Sequence, residues 1–477
     1  MSSKSIVSGV LWTGFEAVIS RVFTFIVKLL LAKLLLPEDF GLVGMITVFS
    51  SFISVLNELG FGAALIQRDE KKIRESHYHT VFWTSLIWSI FLYALIFFVF
   101  SPMVANFYDQ PRIQIIMPVL TLNILFVPFA LIPRTKLTRD LKFKELSIAS
   151  VYSSFFAGIL SLVLALLDFG VWALVFNYVI MIVVATPILY YYVPWKPKLI
   201  WNIEDFKDIF GFGTKTLGTN LFNNLISQFD YLVIGRLLSA QLLGVYTLSF
   251  IITDMFRTQL MSIINKVMYP NYSKIQNDKV KLANSYLNVV KFNAAAVYPF
   301  MLILIIYAEQ IIFTFYDETW AQAIEPIRII SISVLIHMLV NSNTTLIRAS
   351  GRPGLEFKLQ VFKALVFFVP AILIGVYYYG LNGAAWAMVY HKIACVIVAQ
   401  YVLRKYYGIT AMMLINRLKA VLIALAVALV CVLVFNYFFD KLWIVGIALA
   451  FSCYFTILNY LDKEFINLLK RIMNRNF

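Results

Sequence analysis

Charge is scarce in this chain, and acid is scarcer than base. Only 14% of its 477 residues are charged, against 61% hydrophobic, and 25 acids stand against 40 bases. A soluble protein of this length needs more polar surface than that to cover its core. Cysteine is almost missing. Cys395, Cys431 and Cys453 all fall inside apolar runs and read as packing residues, which excludes a disulfide or thiolate–metal framework. Strand-length alternation of apolar and polar residues is absent, which excludes a membrane β-barrel. No small-x-small site precedes a soluble stretch near the start, so a cleaved secretory leader is not expected. "GFGTK" (211–215) lacks the last glycine of a dinucleotide loop and the spacing of a P-loop. "HYH" (77–79) has no third ligand at helical spacing, so a loop role is expected there rather than a metal.

What the chain has is apolar length. Runs of about 20 residues, enough to cross hydrocarbon, recur from 6–33 and 38–66 through to 416–438 and 442–460. Counted along the chain they predict an all-α polytopic membrane protein with about fourteen transmembrane helices. Alternate loops differ in charge. One set holds clusters such as Arg134, Lys136, Arg139, Lys142 and Lys144, and the opposite set holds only Lys33, Arg112, Arg236 and Lys441. By the positive-inside rule the basic set and both termini are cytoplasmic. The net charge of +15 then reflects topology and anionic lipid contact, and no nucleic acid is implied.

Charges also sit inside the spans, where each costs about 2.5–3.5 kcal/mol on insertion scales. The bases are Arg21, Lys28, Lys215, Arg257, Lys291, Arg328, Lys363 and Lys392; the acids are Glu16, Glu58, Asp230 and Asp254. On the first span Thr13, Glu16, Ser20, Arg21, Thr24 and Lys28 share one face about 140° wide. A shift of 203 residues lays "LLLPEDFG" (34–41) on "LLSAQLLG" (237–244). It also lays that stripe on Thr216, Thr219, Asn220, Asn223, Ser227 and Asp230. Two halves of six spans in the same orientation are predicted, as parallel repeats around a central substrate cavity. The segments are 1–200, 201–408, and a remainder, 409–477, carrying two extra helices.

Four stretches resemble a known family: "LLLPEDFGLVGMITVFSSFISVLNELGFGAALIQ" (34–67), "RTKLTRDLKFKELS" (134–147), "INKVMYPNYSKIQND" (264–278) and "LIRASGRPGLEFK" (346–358). They are similar to the polysaccharide exporters of the MOP flippase superfamily, the Wzx-type transporters of lipid-linked oligosaccharides, in the branch with colanic acid and teichuronic acid exporters. The resemblance implies two six-helix lobes around a cavity, and basic cavity residues that meet the diphosphate and acidic sugars of a lipid carrier.

The expectation is a flippase, not an enzyme, in a bacterial cytoplasmic (inner) membrane. It would carry undecaprenyl-diphosphate-linked oligosaccharide repeat units to the outer leaflet, alongside polysaccharide polymerase or export partners. Arg21, followed by Lys215 and Lys291, leads the candidate diphosphate contacts; Thr24, Asn220 and Asn223 are the sugar contacts, and Lys28 is a further cation of the cavity. Glu16 and Asp230 join them in the cavity. Glu16, Glu58, Asp230 and Asp254 leave coupling to Na⁺ or H⁺ open, with no cofactor or metal otherwise. A cation-coupled multidrug antiporter of the related type is the alternative, and a membrane polymerase or glycosyltransferase the alternative of another class. Internal bases outnumber internal acids, which argues against the first. Connections of no more than roughly 20 residues argue against the second.

Overall fold

In hydrocarbon every unsatisfied backbone group costs several kcal/mol, so a chain this apolar must close its hydrogen bonds within helices. A computed structural model describes residues 3–463, and no strand occurs among them. Within those helices the side chains of 3–15, 17–18, 211–217, 219, 440 and several positions in 256–267 are not described. Thr13, Lys215, Thr216 and Thr219 therefore lie outside the described side chains.

The chain divides into two compact units, Met1–Leu248 and Ser249–Phe477. The first holds α1 (Ser3–Leu34), α2 (Pro37–Glu58), α3 (Phe61–Gln67), α4 (Glu75–Leu95) and α5 (Ser101–Tyr108). It continues with α6 (Ile113–Leu120), α7 (Asn123–Arg139), α8 (Phe143–Leu166), α9 (Val171–Tyr192) and α10 (Ile203–Leu237). The division falls within α11 (Ala240–Lys274). The second unit continues with α12 (Lys279–Phe315), α13 (Ile324–Met338), α14 (Asn343–Ala349) and α15 (Pro353–Lys363). It ends with α16 (Val369–Tyr407), α17 (Ala411–Phe438) and α18 (Trp443–Leu461). Ten helical segments among the described residues are long and apolar enough to cross a membrane. The helices α1, α10 and α11, of 32, 35 and 35 residues, have the length but carry polar faces.

Small residues decide the packing of the first unit. The buried face of α8 is Ser147, Ala149, Ser153, Ser154, Ala157 and Ser161, which lets α1 and α9 approach it closely. Phe23 of α1 stacks on Phe155 of α8 with ring centroids 3.9 Å apart. Polar side chains tie other pairs. Ser51 Oγ of α2 donates to Asn224 Oδ1 of α10 at 2.8 Å, and Ser89 Oγ of α4 to Asn57 Oδ1 of α2 at 2.9 Å. Such interhelical bonds average about 0.6 kcal/mol in a bilayer.

Ion pairs gather at the helix ends, where water is available. At one end Arg74 meets Asp205 at 2.6 Å, Arg68 meets Asp208 at 2.7 Å and Lys136 meets Glu75 at 2.6 Å. The "HYH" segment lies here too, in the first turn of α4 rather than in the expected loop. The reason is a cap: His77 Nδ1 accepts the Arg74 backbone N–H at 3.1 Å and closes an orphan donor. Burial follows, with His77 3.3 Å from Asp205, and His79 Nδ1 accepting the Lys198 N–H. At the other end Arg112 meets Glu38 at 3.3 Å and Arg236 meets Asp109 at 2.6 Å.

That second end also brings the two similar turns together. A Cβ on Gly41 would stand 1.6 Å from the carbonyl oxygen of Ala240, and one on Gly244 would stand 1.7 Å from that of Pro37. The contact is reciprocal under the 203-residue shift: Gly41 corresponds to Gly244, and Pro37 to Ala240. Backbone meets backbone here with no room for a side chain.

The second unit is built on α12, much of whose length is buried. Tyr454 of α18 donates its hydroxyl to the Ala295 carbonyl at 3.1 Å, and Tyr307 donates to Asn436 Oδ1 of α17 at 2.7 Å. Both closing helices are thereby fastened to α12. The segment Pro353–Tyr407 doubles back at Gly380, whose φ of 58° and ψ of −137° suit glycine. In the sequence, two apolar runs of membrane-spanning length, 359–379 and 381–403, part at this residue.

Replacing Gly41 or Gly244 by leucine forces the two turns apart, and either change should destabilise the purified protein by about 1–3 kcal/mol. A thermal melt in detergent checks it. A melting temperature equal to that of the unaltered chain would mean the turns are not in close contact.

Candidate functional site

The polar face of α1 is half engaged within its own unit. Glu16 Oε1 accepts from Ser150 Oγ of α8 at 2.6 Å. Thr24 turns its hydroxyl back to the Ser20 carbonyl at 2.7 Å, a bond helices use to silence a buried hydroxyl. Ser20 is buried, and its Oγ has no hydrogen-bond partner among the described residues. Arg21 is exposed and Lys28 half-buried. The stripe thus keeps its two cations at or near the surface and its acid on a neighbouring helix.

On α10 the expected polar residues separate by environment. Asn220 is exposed. Asn223 is partly buried, and its Oδ1 has no hydrogen-bond partner among the described residues. Asp230 is only 4% exposed, and it accepts the hydroxyl of fully buried Tyr246 from α11 at 3.0 Å. A buried carboxylate is a costly arrangement, sustained by that hydrogen bond and by the Tyr231 backbone N–H, which donates to Asp230 Oδ1 at 3.0 Å. Glu58 is exposed at the last position of α2, before the left-handed pair Leu59 and Gly60.

The second unit holds the denser charge cluster. Asp254 and Arg257 pair across one turn of α11 at 2.5 Å. Arg257 Nη1 then lies 3.4 Å from His337 Nδ1 of α13. The charges of Lys363, His391 and Lys392 act on the same imidazole. Four helices, α11, α13, α15 and α16, therefore bring Arg257, Lys363, Lys392 and His391 within electrostatic range of His337, with Asp254 paired to Arg257 beside them. In the sequence Lys363 and Lys392 each stand alone in a span; the fold gives them company. His337 and His391 are missing from the sequence reading, because a single histidine in an apolar run reads as packing. Their one signal is rarity, since the chain has four histidines in all and two of them lie within helical segments long and apolar enough to cross a membrane.

Two expected cations lie elsewhere. Lys291 is buried on α12 and pairs with Asp462, just past α18. Arg328 is held by Glu325 at 2.6 Å and Glu309 at 3.5 Å, near the end of its span. No group of three or more His, Cys, Asp or Glu able to hold a metal occurs among the described residues.

Comparison with known proteins gives this geometry a family. The teichuronic acid biosynthesis protein TuaB of Bacillus subtilis (strain 168) is 26% identical over 359 residues, 74% of this chain and 73% of its own. Among solved structures, the lipid II flippase MurJ in an inward closed conformation superposes with a TM-score of 0.72 at 15% identity, over 96% of this chain and 100% of MurJ. An inward-facing multidrug resistance transporter of the MATE family, MOP superfamily, superposes at 0.64 and 18% identity, over 83% of this chain and 98% of its own. At such identities the two structures speak to fold alone. The family described as polysaccharide biosynthesis protein matches residues 30–325, and with more than half of its length so matched, the chain belongs to that family.

Proposed function

We propose that this multi-pass membrane protein flips undecaprenyl-diphosphate-linked oligosaccharide repeat units from the cytoplasmic to the outer leaflet of a bacterial cytoplasmic membrane. It is a transporter and not an enzyme, a reading supported by its relative ExoT of Rhizobium meliloti (strain 1021), a succinoglycan biosynthesis transport protein 22% identical over 330 residues. The observation that carries the cargo class is the sign of the charge inside the spans. In the second unit Arg257, Lys363, Lys392 and His391 gather around His337, and Asp254 is paired with Arg257 beside them. Arg21 and Lys28 add cations in the first. A diphosphate entering such a field is drawn in and a cationic drug is repelled, and the attraction grows as the local dielectric falls. Arginine's planar fork is the best available match for a diphosphate.

In this reading the halves 1–200 and 201–408 are parallel repeats, with fourteen crossings in all and both termini cytoplasmic. They expose the cargo site to one membrane face and then the other by alternating access. The reciprocal glycine contact of the turns 34–41 and 237–244 supports that reading, because it obeys the repeat. Thr24, Asn220 and Asn223 serve the sugar hydroxyls. If a cation drives the cycle, Asp230 suits it best among Glu16, Glu58, Asp230 and Asp254. It is the most deeply buried of the four.

In a strain lacking the gene, lipid extracts should accumulate complete, unpolymerised carrier-linked repeat units, and the restored chain should clear them. Arg257→Ala, Lys392→Ala or Arg21→Ala, at normal protein levels, should each lower export about tenfold or more. That is the effect of losing one charge-assisted hydrogen bond of ~1.5–3 kcal/mol. Normal export by all three would remove the cationic-site reading. No accumulation in the deleted strain, with altered sensitivity to cationic dyes, would favour the multidrug antiporter instead.

The topology has its own check. A cysteine placed at Asp140 should resist a membrane-impermeant maleimide in intact cells and react once the membrane is opened. Labelling from outside would invert the assignment of sides.

A further inference from the structure

Lys291 does not stand in the charge cluster of its unit, and its actual surroundings form a second site. A cavity of about 890 Å³ opens where α12, α17 and the end of α18 converge. Asn284, Leu287 and Lys291 recur at i, i+3 and i+7 on one face of α12. Asn416, Arg417 and Lys419 enter from α17, and Lys463 from beyond α18. The one acid in the lining, Asp462, is occupied by its ion pair with buried Lys291. That pair fixes the wall, and three further bases remain to give the cavity its sign. Arg417, Lys419 and Lys463 show no ion pair among the described residues.

The floor is of different character. Leu287, Ile423 and Leu461 supply apolar surface next to the bases, and the outer faces of α17 and α18 are exposed apolar residues such as Ile415, Leu422 and Ile444. A cavity lined by bases and by apolar side chains, beside the exposed apolar faces of α17 and α18, matches the phosphate and the chain of a lipid. Its volume is that of a ligand pocket and far exceeds the need of one phosphate ion. Basic loops alone would give an exposed convex surface, with no lysine buried in a wall. Amides at Asn284 and Asn416 add donors suited to phosphate oxygens.

We propose that this cavity binds the phosphate of an anionic lipid in the cytoplasmic leaflet, with the lipid's chain running along α17 and α18. Two sources share that chemistry: an anionic phospholipid of the bilayer, or the polyprenyl phosphate of a carrier. The second source rests on the flippase reading, and the first does not.

The test uses the full-length purified chain, delipidated in detergent and examined by native mass spectrometry. Phosphatidylglycerol, phosphatidylcholine, undecaprenyl phosphate and inorganic phosphate are each added separately. One molecule of phosphatidylglycerol or of undecaprenyl phosphate should be retained per chain, and phosphatidylcholine at least about tenfold less. Whichever of the first two is retained more strongly names the source. The double variant Arg417→Gln/Lys419→Gln leaves the Lys291–Asp462 pair intact and should lose about tenfold in retention with an unchanged melting temperature. The control Arg134→Gln/Lys142→Gln, on exposed bases of the first unit, should retain lipid as the unaltered chain does. Equal retention by the Arg417/Lys419 variant, an equal loss in the control, or equal retention of phosphatidylcholine would overturn the proposal. So would inorganic phosphate binding as tightly as the lipid, because the apolar floor would then contribute nothing.

Discussion

Everything in this molecule answers to one constraint: a charge or an open polar group inside hydrocarbon must be partnered or kept near water. Each exception costs several kcal/mol, comparable to the net stability of a whole domain. The consequences are visible one by one. Asp254 has Arg257, Lys291 has Asp462, Asp230 has Tyr246, and Glu16 has Ser150. Helices too polar to face lipid all round, α1 and α10, lie against α8 and α2. Ion pairs with no reason to be buried move to the ends of the first unit, where Arg74, Arg68 and Arg236 find acids. Helix placement follows from charge placement as much as from apolar packing.

Much of this was legible in the sequence. Apolar length gives the helices, and the turn at Gly380 falls where two predicted spans meet. The likeness between 34–41 and 237–244 pointed to matching turns, and their glycines do meet backbone to backbone. Long-range partners were not legible, because helical periodicity fixes which face a residue is on and never what that face meets. Lys291 looked like a lone cation near a helix end until Asp462 closed on it. Lys363 and Lys392 looked isolated until four helices converged. "HYH" looked like loop because its cap comes from a histidine ring, which no standard capping pattern contains.

Fold and cargo are decided at different levels here. One architecture superposes on a lipid II flippase and on multidrug transporters, at identities where only the fold is shared. Helix count, turns and packing therefore carry no information about what is moved. The information lies in a few side chains that the architecture tolerates but does not require. A bundle of this kind would pack as well with leucine at 363 and 392 and with apolar residues in place of both Asp254 and Arg257, and it would insert more cheaply. Keeping cations at those positions against the bilayer's cost makes sense if an anion offsets it during the cycle. The same reasoning separates the two cationic sites. The cluster on α11, α13, α15 and α16 joins one turn of α11 to three other helices through Arg257 and His337. The cavity on α12, α17 and α18 is built differently: its one lining acid, Asp462, is held by buried Lys291, and its other charged lining side chains are all basic.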